Sequence, residues 1–229
     1  MGAAWQSVGR HRLRRFGVPP GGPMDDHAAA WANRLVGNEV GAPVLEIVWG
    51  GAKMEVLQDG YVAITGAPAK ASLPLWRAVP VKAGRAVEFA PGNSGVWVYV
   101  AFGSKDCGSA QWAEVRDYLA PPAFRVWPGP QRRMFSDAFF QREWIVTTQS
   151  NRVGYRLTGE PVKFEKCELL SEPVRVGTIQ VPENGLPIVT MRDGPTVGGY
   201  PKLGMVDPVD LSWLTQCRPG QKIRFTVAA

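Results

Sequence analysis

Glycine and proline interrupt this chain so often that its apolar residues can gather only in short runs. With 26 glycines and 20 prolines in 229 residues, few stretches are long enough for a helix of several turns. The surviving runs alternate or are β-branched: "VLEIVWG" (44–50), "YVAITG" (61–66), "RAVEFA" (85–90), "VWVYVAF" (96–102), "AFRVW" (123–127), "EWIVTTQ" (143–149), "PIVTMR" (187–192) and "KIRFTVA" (222–228). Many short strands between turn signals specify barrels or sandwiches rather than an alternating β/α sheet. The expected fold is mainly β with a few short helices.

Three helical segments are expected. "DDHAAAWANRLVGN" has Asp25 or Asp26 as N-cap and a Gly37-Asn38 stop. "SDAFFQR" is capped by Ser136, and "DPVDLSWLTQCRPG" starts at Asp207 with Pro208 in its first turn. Between Gly103 and Pro122 lie "GSKDCGS", an amphipathic piece from Trp112 to Leu119, and Pro121-Pro122. This reads as a boundary, giving an N-terminal β subdomain over 1–105, a linker over 106–122 and a C-terminal β subdomain over 123–229.

Composition narrows the partners. Hydrophobic residues at 45% and nine tryptophans oppose disorder. The net charge of +6 is concentrated in short clusters such as His11–Arg15 and Gln131–Arg133. No aromatic-interleaved motif accompanies them, so they read as a solvated face and nucleic acid is not expected. Cys107, Cys167 and Cys217 are too few and too scattered for a disulfide framework or a CxxC zinc site. Neither a signal-peptide core nor a membrane-length apolar run is evident, and the expected location is cytoplasmic, away from membranes.

The familiar catalytic signatures are missing. There is no GxxxxGK[ST] phosphate loop and no GxGxxG after a strand, and the two histidines cannot form an HExxH site. No metal is expected. Three polar, glycine-marked clusters stand out instead. "GVPPGGPMDDHAAAWANRLVGN" delivers a helix N-terminus that can bind a carboxylate or carbonyl oxygen, or be satisfied by Asp25 or Asp26. "QSNRVGYRLTG" (149–159) offers Arg152, Tyr155 and Arg156 to a planar anion, or else sends Arg156 to solvent and Tyr155 to the core. "GTIQVPENGLPIVTMRDGPTVGGYPK" carries Gln180, Asp193, Tyr200 and Lys202. There Gly198 and Gly199 permit positive φ and close approach. Asp193 suits an acid, base or orienting role, and Lys202 a developing oxyanion.

Taken together, "GVPPGGPMDDHAAAWANRLVGNEVGAPVLEIVWGGA", "YVAITGA", "SNRVGYRLTG", "LLSEPVRVGTIQVPENGLPIV", "TVGGYPKLGMV" and "DLSWLTQCRPGQKIRF" resemble the biotin-dependent carboxyltransferase family, also described as allophanate hydrolase subunit 2. The resemblance covers nearly the whole chain in order. It implies two cyclophilin-like β-barrel subdomains and a kinase-inhibitor-like partner, the B-type component of such complexes. It also implies the role of the C-type component in an ATP-dependent 5-oxoprolinase, or in a related amide- or urea-processing complex. On that basis ATP is used by the complex, and this chain alone binds no cofactor. Lys202, Asp193 and Tyr200 become the candidate catalytic residues. Arg156, Tyr155, Arg152, Gln180 and Asp25 become candidates for binding a small amide or carboxylate.

The chain departs from the family pattern in places. Gly194-Pro195 stands where an Arg and a Gln are usual, and the stretch from Gly103 to Pro122 replaces a longer middle segment. Glycine and proline bring no side-chain donors. The alternative expectation is therefore a non-catalytic binding or regulatory partner, an antagonist of a kinase-inhibitor-like protein.

Overall fold

The computed structural model describes residues 2–49, 51–111, 115–164 and 169–228. The chain divides into two compact units. One comprises Met1–Gly9, Gly22–Ala120 and Thr215–Cys217; the other comprises Arg10–Gly21, Pro121–Leu214 and Arg218–Ala229. The sequence division at 106–122 differs from this in two ways. Two short segments are exchanged, and most of the expected linker belongs to the first unit. Hydrogen bonds explain the latter: Cys107 N–H donates to Leu35 O, Ala78 N–H to Gly108 O and Ala110 N–H to Trp76 O. Residues 112–114 of the expected amphipathic piece, and Cys167, lie outside the described residues.

In the first unit a five-stranded antiparallel sheet runs in the order Ala3–Gln6, Val44–Val48, Trp97–Gly103, Gly60–Gly66, Ala78–Val81. A three-stranded sheet of Ala52–Glu55, Ala86–Ala90 and Lys70–Ala71 shares its core. Ile47, Val62, Ile64, Val98 and Val100 of the larger sheet meet Val87 and Phe89 of the smaller. The alternate residues Ala63, Thr65, Tyr99 and Ala101 are also buried. Helix α1 (Asp26–Leu35) packs on their strands, with Thr65 Oγ1 donating to Ala28 O at 2.6 Å. Covering both faces removes the polar half of the alternation, which is why "VWVYVAF" reads as an unbroken apolar run.

The second unit is built on eight strands in the order Lys222–Ile223, Trp144–Val146, Gly154–Thr158, Ile188–Thr190, Thr178–Gln180, Lys202–Val206, Phe124–Pro128, Phe225–Val227. Its two edge strands are separated along the chain only by Arg224. One C-terminal stretch therefore pairs with Trp144–Val146 through its first part and with Phe124–Pro128 through its second, and the sheet curls round into a nearly closed barrel. Phe124, Trp144, Leu157, Ile179 and Leu203 are fully buried inside it.

The helices follow the sequence in part. Asp25 is the N-cap of α1, its Oδ1 accepting from Ala28 N–H at 3.0 Å. "SDAFFQR" forms only a 3-10 turn, Asp137–Phe139, and Ser136 makes no side-chain cap bond. The pull on that turn is tertiary: Phe139 is buried against Trp144 and Phe225, with ring centroids at 5.4 Å and 5.1 Å. Helix α2 (Pro208–Leu214) stops before Cys217, shorter than its apolar pattern suggested. No helix among the described residues is long and apolar enough to cross a membrane.

Candidate functional site

Strand register in the second unit sets four side chains in one row. Arg156 pairs with Ile188, Ile188 with Gln180, and Gln180 with Lys202. Directly paired residues point to the same face, so all four share the outer face of the barrel. At about 4.8 Å per strand, the row spans roughly 14 Å between its end Cα atoms. The row grades from an exposed Arg156 to a buried Gln180 and Lys202. Tyr155 pairs instead with Val189, which faces Ile179, and all three are buried in the barrel core. Strand alternation thus separates neighbours that the sequence had grouped.

At the exposed end of the row lies a cavity of about 480 Å³. Arg156 and Tyr200 both line it, with Thr147, Thr148 and Thr158. Leu186, Pro187 and Ile188 supply an apolar wall. The rim is a tight turn, Pro182–Gly185, closed by Gly185 N–H donating to Pro182 O at 2.9 Å. Gly185 holds φ +71 there, a conformation other residues avoid. Asn184 Oδ1 accepts from Leu186 N–H at 3.0 Å. The backbone of Arg156 is pinned on both sides: its N–H donates to Ser150 Oγ at 3.0 Å and its carbonyl accepts from Thr147 N–H at 2.9 Å. The strand is fixed while the guanidinium stays at the surface.

Lys202 takes a different position from the one its turn suggested. It is the first residue of a strand, is only 4% exposed, and its Nζ donates to Glu172 Oε2 at 3.0 Å, Gly198 O at 3.3 Å and Tyr200 O at 3.5 Å. An ammonium has three protons, and three acceptors surround this one. Gln131 completes the knot by accepting from Lys202 N–H at 3.1 Å and donating from Nε2 to Glu172. The hydrogen bond from Lys202, then that from Gln131 and the Lys202 charge, hold the Glu172 carboxyl below its usual range. Lys202 therefore clamps the carbonyls of the 198–200 turn from inside, and Tyr200 projects from that turn into the pocket.

The glycines of the same turn act through close approach. Neither Gly198 nor Gly199 adopts positive φ. A Cβ on Gly198 would lie 2.7 Å from Gln180 Oε1, whereas one on Gly199 would meet only ordinary contacts at 3.7 Å. Gln180 is held in turn by its Nε2, which donates to Thr190 Oγ1 at 2.9 Å.

Arg152 and Asp193 pair with each other. The guanidinium grips the carboxylate with both arms, Nε to Oδ2 at 2.7 Å and Nη2 to Oδ1 at 3.0 Å. With Asp193 N–H donating to Arg152 O at 2.8 Å, this fork ties two adjacent turns together. Asp25 belongs to the first unit and is completely buried. Its Oδ2 accepts from Tyr118 OH at 3.1 Å and from Gln216 Nε2 at 2.9 Å. Nearby, Tyr99 OH donates to Glu46 Oε2 at 2.8 Å and accepts from Asp25 N–H at 2.7 Å. Burial first, then the carboxylates of Glu46 and Asp25, pushes the Tyr99 phenol far up. This cluster is a sealed polar framework around the start of α1.

Sequence reasoning passed over Glu172, Gln131, Asn184 and the three threonines. Asn184 had a visible signal, the Glu-Asn-Gly turn. Glu172 and Gln131 had none, since their partner Lys202 lies 30 and 71 positions away.

A family model described as carboxyltransferase domain, subdomain A and B, matches residues 16–106 and 103–227. The C-type component of the Escherichia coli 5-oxoprolinase is 33% identical over 96% of this chain and 86% of its own length. That of Haemophilus influenzae is 28% identical over 97% of this chain and 87% of its own length. The alignment to the Escherichia coli protein runs over 268 positions against 229 residues here, so that relative carries at least 39 residues with no counterpart in this chain. Among solved structures, TTHA0988 superimposes with a TM-score of 0.84 at 29% identity, over 98% of this chain and 53% of that one. The Kluyveromyces lactis urea carboxylase does so at 0.87 and 22% identity, over 99% of this chain and 26% of that one, a likeness of fold. The chain belongs to the carboxyltransferase-domain family that spans subdomains A and B.

Proposed function

We propose that this protein is the C-type component of a 5-oxoprolinase-type system, opening a small amide at the expense of ATP together with a kinase-inhibitor-like, B-type component. The observation that carries the reading is the 33% identity to the C-type component of the Escherichia coli 5-oxoprolinase along almost the whole chain. The pocket of the second unit is consistent with it. Arg156 and Tyr200 present cationic and phenolic donors to a ligand, and such donors stabilise charge developing on an amide oxygen. Lys202 contributes by holding the Tyr200 turn. Among the described residues Arg156 is the only cation lining the pocket, a poor match for the several charges of a nucleotide triphosphate, so no ATP step is placed on this site. The complex would work in the cytoplasm.

The test is reconstitution with the cognate partner chains, following ATP hydrolysis and ring opening of 5-oxoproline together. The expected result is coupled turnover that needs every component, with none from this chain alone. A second reading, a non-catalytic partner of the kinase-inhibitor-like protein, is favoured by the residues that the Escherichia coli relative has and this chain lacks. A stable complex without turnover would select it.

A further inference from the structure

We infer that the mouth of the first unit's apolar core is a second ligand site, one that takes a small uncharged bicyclic aromatic molecule of the indole kind. This goes beyond the reading above and does not rest on it, since every residue of the site belongs to the first unit.

Register sets Trp5 opposite Leu45 and Leu45 opposite Val100, and it sets Val62 opposite Phe102. Val62 and Val100 belong to the core between the two sheets, so these side chains share the face that looks toward the smaller sheet. The smaller sheet does not cover this corner. Trp5 is on the core side yet is 68% exposed, and Leu57, just past the strand Ala52–Glu55, is 87% exposed. Trp5 and Leu57 both line a cavity of about 350 Å³ that reaches down to the buried Val56, Val62 and Val100. The mouths of β-barrels are common places for small-molecule sites, and this volume lies within their ordinary range.

The lining sets the class of ligand. Water against the valines would give up hydrogen bonds without replacement, so the cavity favours an apolar occupant. A dry apolar cavity of about 150 Å³ already accepts benzene, and one roughly twice that size suits two fused rings. Trp5 and Phe102 offer aromatic surfaces for offset or edge-to-face contact with a flat ligand. Among the described residues no Lys, Arg or His lines the cavity. Glu55 does, but it alternates with the half-buried Met54, which turns its carboxylate to the solvent side. An anion would therefore meet no counter-charge inside and a carboxylate at the rim, and its desolvation would go uncompensated. The Gln58 amide also lines the cavity, is exposed and makes no hydrogen bond among the described residues. Its carbonyl oxygen suits a single ring N–H.

The experiment is titration of the 15N-labelled full chain with indole and with indole-3-acetate. Binding is followed by calorimetry and by the side-chain N–H resonance of Trp5, assigned through Trp5→Phe. Indole is expected to bind one to one and to shift that resonance. Indole-3-acetate, the same rings carrying a carboxylate, is expected to bind about 10- to 100-fold more weakly. Met54→Trp fills the cavity from its half-buried wall and should abolish indole binding. Leu57→Asp puts a charge on the exposed rim and should weaken binding about 10-fold with an unchanged melting temperature. Arg156→Gln should leave indole binding unaltered, which separates this site from the pocket of the second unit. Absence of saturable indole binding, equal binding of indole-3-acetate, shifts confined to other tryptophans, or full binding by both Met54→Trp and Leu57→Asp would each overturn the assignment. So would a Trp5 resonance that ignores indole and moves only when partner chains are added, which would make the mouth a protein-docking surface instead.

Discussion

Lys202 Nζ lies 3.0 Å from Glu172 Oε2 although the two residues are 30 positions apart, and it is the lysine that is buried, with 5% of its side chain exposed against 39% for the glutamate. A buried ammonium is tolerated because a carboxylate and two backbone carbonyls surround it. Lys202→Met keeps the stem and removes the charge; two carbonyls lose this donor, and the carboxylate keeps the hydrogen bond from Gln131. The expected loss in urea unfolding is about 2 kcal/mol, with the 198–200 turn loosened. Equal stability of Lys202→Met and wild type would show that the ammonium contributes nothing net.

The same pair should give stability a pH dependence of known sign. The folded carboxyl of Glu172 titrates below its usual range, mainly through the hydrogen bond from Lys202. A depressed carboxyl stabilises the fold fully above its unfolded value, near 4.3, and loses that contribution as pH falls through the lower folded value. The melting temperature of wild type should exceed that of Glu172→Gln at neutral pH, and the gap should close in acid. A gap that widens on acidification would contradict the assignment.

Gly198 and Gly199 should respond differently to the same substitution. Gly198→Ala drives a methyl to 2.7 Å from Gln180 Oε1 and must displace an amide that is buried and bonded to Thr190. Overpacking of this kind costs about 1–3 kcal/mol. Gly199→Ala meets nothing closer than 3.7 Å, and its melting curve should stay close to wild type. Equal losses at both positions would mean that backbone freedom, not contact, selects glycine.

Gln216 should be among the least replaceable residues of the first unit. It is completely buried; Oε1 accepts from Val96 N–H at 2.8 Å and Trp97 N–H at 2.9 Å, and Nε2 donates to Asp25 Oδ2 and Trp97 O at 2.9 Å and 3.0 Å. Gln216→Ala orphans two N–H groups and part of a carboxylate, with an expected cost of about 3 kcal/mol or more by chemical denaturation. Gln216→Glu should be worse at neutral pH, since it faces Asp25 with a second carboxylate, and should recover partly in acid as that repulsion is relieved. A loss below about 1 kcal/mol for the alanine variant would show that water replaces the amide.

Local pattern alone set the β class, the start of α1 to within Asp25 or Asp26, and most strand positions, because alternation, turn residues and cap chemistry act over a few residues. It also singled out Arg156 and Tyr200, which the fold brings into one pocket. What it left open was facing and partnership. Tyr155 and Arg156 are adjacent, and only the register Arg156–Ile188–Gln180–Lys202 decided which of them leaves the core. Lys202 looked free on a turn until Glu172, Gly198 and Tyr200 closed around it. Gln216 looked like the tail of a helix until the N–H groups of Val96 and Trp97 claimed its oxygen. Side-chain propensities are local, whereas satisfying a buried polar group depends on atoms that only the barrel and sheet bring within hydrogen-bonding distance.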